Sequence, residues 1–86
     1  MKFALIASHP NLSTGYAKIA SNMCNELCKI HDVVYLGFQN FNDSDINRKL
    51  DDKIKLYDLY KMDPESPNGF GDNAIVPALN HETPDI

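Results

Sequence analysis

The residues best suited to chemistry come early in the chain. His9, Ser13, Thr14, Gly15 and Tyr16 stand between an apolar run, Phe3 to Ala7, and an amphipathic one that opens at Tyr16. An imidazole can bind substrate or move a proton. A glycine lets a backbone approach a ligand closely, and the first N–H groups of a helix have no partner within it, so they can meet a phosphate or a sugar hydroxyl. The run is not a P-loop, because no Gly-Lys-Ser/Thr follows, and it is not G-x-G-x-x-G, so a dinucleotide site has little support. The plain alternatives are a strand–helix connection whose glycine serves packing, and for His9 a surface-loop histidine. The latter is the favoured reading for His9, because no partner is evident in the sequence.

Three other groupings carry less. Cys24, Cys28 and His31 are spaced i, i+4 and i+7 on one predicted helix, a side that could hold a metal or a redox pair. Zinc would require a further ligand, and Cys is a common buried residue, so two free thiols are expected. Asp43, Asp45, Asp51 and Asp52 lack the Gly and terminal Glu of an EF-hand and read as a solvated loop. His81 and Glu82 lack the HExxH pattern and give no metalloprotease signal.

The elements that must position the early residues follow from periodicity. Five consecutive apolar residues within 2–8 predict a short strand covered on both faces, as in a parallel sheet. Residues 9–14 contain Pro, Asn and Ser and read as a turn. Across 15–30, Tyr16, Ile19, Ala20, Met23, Leu27 and Ile30 recur at helical spacing, with Cys24 beside them, and predict a helix buried along that stripe. Ser13 or Thr14 is the expected N-cap. Asp32 opens a second strand, Val33 to Phe38. The unit has the length of a βαβ crossover.

Residues 39–52 are polar and predict a long surface loop, with a helical turn over 45–50. Residues 53–60 alternate and predict a third strand nearer an edge. Residues 61–71 hold Asp-Pro, Ser-Pro and Asn-Gly and read as loop. A short helix is expected from 72 or 73 to 80, with Ile75, Leu79 and Val76 toward the sheet and Pro77 in or near its first turn. Asp85 and Ile86 look like the opening of a fourth strand. A sheet edge left in that state predicts truncation of a longer domain.

Composition bounds the partners. The chain of 86 residues is 43% hydrophobic and 23% charged, ordinary for a globular protein and unlike a disordered one. Twelve acidic residues against eight basic ones, spread without a basic cluster, argue against nucleic acid. No apolar run reaches the ~20 residues of a membrane helix. The N-terminal apolar run is too short for a signal peptide, so a cytoplasmic location is expected. One domain over residues 1–86, α/β with a mainly parallel Rossmann-like sheet and flanking helices, is the expected architecture.

Several of these pieces resemble a known family. Phe3 to Ser8, then Ser13-Thr14-Gly15-Tyr16, the amphipathic helix, His31-Asp32-Val33-Val34-Tyr35-Leu36, Gly69 to Ile75 and Thr83-Pro84-Asp85-Ile86 are similar, in order and spacing, to the opening of GT-B glycosyltransferases of the family-4 type. The chain departs from that pattern in having a single Gly15 where the family often has Gly-Gly, and Ile30 where it has Gly before a "HEV" turn. The resemblance implies an incomplete N-terminal half of a GT-B fold. It implies a nucleotide-sugar donor as cosubstrate, a sugar or glycoconjugate acceptor, no metal and no further cofactor. Ser13, Thr14, Gly15, Tyr16 and His9 would line the substrate cleft, with no catalytic residue in the segment and no activity from it alone. The competing expectation is a small, non-catalytic Rossmann-like module that binds a ligand or a partner.

Overall fold

The computed structural model describes residues 1–10, 12, 15–41 and 49–86. Its frame is a three-stranded parallel sheet in the order β1-β2-β3, with β1 at Lys2–Ser8, β2 at Asp32–Phe38 and β3 at Ile54–Asp58. Helix α1 (Gly15–Leu27) joins β1 to β2. A four-residue helix α2 (Leu59–Met62), a 3-10 turn at Pro67–Gly69 and helix α3 (Asp72–Glu82) follow β3.

Strand alternation divides the core into two layers. On one face Val33, Tyr35 and Ile54 meet Ala20, Cys24 and Cys28 of the α1 region. On the other, Val34 and Leu36 meet Leu59, Ala74 and Ala78. The chain is therefore a Rossmann-like α/β arrangement with helices on both faces. β2, central and β-branched, is buried from Val33 to Gly37. Among the described residues no helix is long and apolar enough to cross a membrane.

After α3 the chain returns to the outer edge of β1. Ile86 N–H donates to Lys2 O at 3.3 Å and Ala4 N–H donates to Ile86 O at 2.8 Å, with Asp85 N–H also donating to Lys2 O at 2.8 Å. These bonds have the pattern of a parallel pairing. β1 thus has β2 on one side and residues 85–86 on the other.

Several expectations need correction. β1 is not covered on both faces: most of it is half-buried and Ile6 is 43% exposed. α1 ends at Leu27 rather than Ile30, and its buried face is Ala17, Ala20, Ser21 and Cys24, not the stripe of larger residues. Small side chains let the helix sit close to the sheet, and the larger ones are turned outward. Residues 61–71 are not all loop, because Asp58 caps α2 by accepting from the Lys61 N–H. α3 starts at Asp72, so Pro77 lies in its interior, and Val76 is exposed. The turn expected over 45–50 lies largely outside the described residues.

Gly71 shows why α3 starts where it does. Its φ is +65°, and a Cβ there would lie 2.4 Å from Leu59 O. Only glycine fits a left-handed backbone pressed onto another helix.

Candidate functional site

In parallel α/β sheets ligands bind beyond the carboxyl ends of the strands, where successive connections leave in opposite directions. Here that place is the carboxyl end of β1. His9 follows the strand directly, and Gly15 opens the next element, α1.

His9 is not a surface-loop residue. It is 4% exposed. Its N–H donates to Phe38 O at 3.1 Å, and its Nε2 stands 3.7 Å from Asp58 Oδ2 at the end of β3. The imidazole reaches across β2 because residue 37 is glycine, where a Cβ would lie 2.8 Å from His9 Cα and 2.9 Å from His9 Cδ2. The register places Ala7, Gly37 and Asp58 side by side, so one row of the sheet carries the crossing.

The Asp58 carboxylate is held from several directions. The Asn40 side-chain amide donates to Oδ2 at 2.7 Å and the Lys61 N–H donates to Oδ1 at 3.2 Å. Beneath, the Tyr35 hydroxyl donates to Ser8 O, fixing the last residue of β1 from inside the core. The arrangement can hold an imidazole in one orientation beside a carboxylate.

Gly15 opens α1 and is exposed, and no described atom lies within 4 Å of where its Cβ would stand. Packing therefore does not demand a glycine there. Tyr16 is 80% exposed. Ser13 and Thr14, and with them the expected N-cap, lie outside the described residues. Of the five residues singled out, the structure thus brings His9 into a polar cluster and leaves Gly15 and Tyr16 on the open first turn of α1.

A second polar cluster lies at the other end of the sheet. Glu82, 4% exposed, accepts from Lys55 Nζ at 2.6 Å and pairs with Lys2 Nζ at 2.9 Å. The Tyr57 hydroxyl also donates to it. Hydrogen bonds from Lys55, Tyr57 and Lys2 pull its carboxyl from 4.5 down to about 2, against the opposing effect of burial. Two of its three partners are cations and the third is a hydroxyl donor, so it reads as a clamp of α3 onto β1 and β3.

The cysteines are free and buried. Burial and the neighbouring Cys28 push the Cys24 thiol up to about 11. His31 stacks edge-on against Phe3 with centroids 4.9 Å apart. Among the described residues no group of three or more His, Cys, Asp or Glu is placed to hold a metal.

Sequence reasoning missed Asp58, Asn40, Gly37 and Glu82. Asp58 had a signal, a carboxylate at a strand end three residues before Lys61 N–H, the spacing of an N-cap. Asn40 had none, being one amide among many in a polar run. No family model matches this chain, and no curated protein matches it.

Proposed function

We propose that this chain is the first part of the N-terminal Rossmann-like domain of a GT-B glycosyltransferase, and that it supplies one wall of a nucleotide-sugar cleft. The observation that carries the reading is the double departure from β1. α1 leads to β2 on one side, while Asp85 and Ile86 pair with Lys2 and Ala4 on the other. A ligand crevice belongs at the carboxyl end of a strand so placed. Gly15 opens the helix that follows β1, and no described atom lies within 4 Å of where its Cβ would stand, which supports a role there. The Thr83-Pro84-Asp85-Ile86 segment, one of the family-like pieces, is the one that pairs there.

In this reading Ser13, Thr14, Gly15 and Tyr16 position donor and acceptor through backbone N–H and hydroxyl groups. His9, braced by Asp58, sets the shape of the wall from beneath. The groups that grip the nucleotide come from a second α/β domain, so residues 1–86 alone transfer no sugar.

The test is to express the whole reading frame containing this chain and assay nucleoside diphosphate release from a panel of nucleotide sugars with sugar acceptors. Acceptor-dependent release is expected from the whole product and none from residues 1–86. Gly15→Trp, which fills the open space, should raise the KM for donor at least tenfold. A reading frame ending at Ile86, with a monomer stabilised by a small ligand, overturns the proposal in favour of a non-catalytic binding module.

A further inference from the structure

Two short segments are joined beyond the carboxyl end of β2, and together they hold an aromatic ring in the open. The Gln39 N–H donates to Gly69 O at 2.8 Å, and the Gln39 side-chain amide donates to Asn68 O at 3.1 Å. Phe38 meets Phe70 edge to face, with centroids 5.1 Å apart. After Gln39 the chain makes a tight turn, closed by the Phe41 N–H donating to Gln39 O at 2.9 Å. The turn sets the Phe41 ring against Gly69, where a Cβ would lie 2.5 Å from its Cε1. Tyr60 of α2 braces the same ring edge to face, with centroids 5.0 Å apart. Half of Phe41 is still exposed.

Holding the ring there costs stability. Gln39 has a φ of +63° and Asn68 one of +56°, the left-handed region that a side chain as long as glutamine rarely enters. A phenyl group gains by burial, and here a strained backbone keeps it at the surface. Its margin is polar and uncharged. Among the described residues neither Gln39 Oε1 nor the Asn68 side-chain amide makes a hydrogen bond. Asn40, between Gln39 and Phe41, bonds to Asp58 and so ties the ring to the His9–Asp58 pair.

We propose that Phe41, Tyr60, Gln39 and Asn68 form a subsite for a pyranose ring. Under the transferase reading, on which this second step rests, the ring belongs to the acceptor, which is then itself a glycoside. A pyranose has a C–H face that packs on an aromatic ring and a rim of hydroxyls that amides can donate to and accept from. A lipid chain would strip both amides of water without replacing the bonds. None of the four side chains carries a charge for an ionic ligand to pair with.

Amide NMR titration of the chain with methyl β-D-glucopyranoside, methyl β-D-galactopyranoside and adenosine tests it. At least one glycoside should shift the Phe41 and Gly69 resonances, with a Kd of about 1–10 mM for so small a ligand. Phe41→Ala should weaken binding about tenfold, and Phe41→Trp should restore it. Gln39→Gly gives position 39 the residue its φ favours, so the fold is kept while the amide is lost, and binding should fall about threefold. Adenosine bound in place of both glycosides, no glycoside bound, or binding indifferent to Phe41→Ala and Gln39→Gly overturns the subsite. Acceptor-dependent release by the whole reading frame judges the transferase reading separately. Release with an acceptor KM that Phe41→Ala leaves unchanged removes the acceptor from the subsite, whereas glycoside binding without release upholds the subsite and removes the transferase.

Discussion

His9 meets Asp58 across a strand that has no side chain at the point of crossing. The 3.7 Å approach of Nε2 to Oδ2 passes over Gly37, whose Cβ, if present, would lie 2.8 Å from a backbone atom of His9. A flexible side chain could give way to such a contact, but a Cα held by the His9 N–H bond to Phe38 O has less freedom. Gly37→Ala should therefore lift the end of β1 off β2 and cost about 1–3 kcal/mol, as overpacking does. Urea unfolding reads the loss, and a moved His9 ring resonance identifies its origin. An unchanged midpoint with an unchanged His9 resonance would show the crossing to be loose.

The Glu82 clamp predicts the acid limb of stability. Its carboxyl is held at about 2 in the folded chain, against 4.5 when unperturbed. A carboxyl lowered by folding stabilises fully above its unfolded value. That contribution is lost as pH falls from about 4.5 toward 2. Lys55 is half exposed and Lys2 about a third exposed, so solvent screens both pairs. Glu82→Gln should cost on the order of 1–2 kcal/mol at pH 7. It should also flatten the fall in stability between pH 4.5 and 2. Denaturant midpoints of both proteins across that range decide it, and parallel curves would remove Glu82 from the acid transition.

Burial makes the two thiols slow. Only a thiolate reacts, and the Cys24 thiol stands at about 11, with Cys28 also raised, chiefly by desolvation. At pH 8 a disulfide reagent should label neither at a rate above that of unfolding, while both react at once in urea. Prompt labelling of the native chain by two equivalents would mean that α1 opens locally.

The contrast between β1, β2 and α1 shows what was legible in the sequence. The two strands begin and end where the apolar runs do, because a short continuous run between Lys2 and Ser8, or between Asp32 and Phe38, has one economical use in a parallel sheet. The parallel pairing followed from the helix between them. α1 was legible as a helix but not in its rotation. Its large apolar residues define one stripe, and its small ones, Ala17, Ala20, Ser21 and Cys24, define an adjoining one. Periodicity weights the large residues, whereas close approach to the sheet selects the small. The polar cluster was hidden for a different reason. His9, Gly37, Asn40 and Asp58 are separated along the chain and meet only through strand register. Glu82 likewise reads as a helix-end carboxylate until α3 is laid across the sheet.

Pro77 supplies the last prediction. It sits inside α3, without an N–H to give the Asn73 carbonyl, and both residues are exposed. A proline in a helix interior costs about 3 kcal/mol, of which its stiffening of the unfolded chain returns about 0.4–1. Solvent access to the freed carbonyl reduces the cost further. Pro77→Ala should accordingly stabilise the chain by about 1–2 kcal/mol, raising Tm by about 5 °C or more. The opposite result would be equally instructive about α3. This helix must seat Gly71 against Leu59 at one end and deliver Glu82 to Lys55 and Tyr57 at the other. If Pro77→Ala lowers Tm, its axis depends on the proline, and Glu82→Gln should then cost less in the Pro77→Ala background than in the native one.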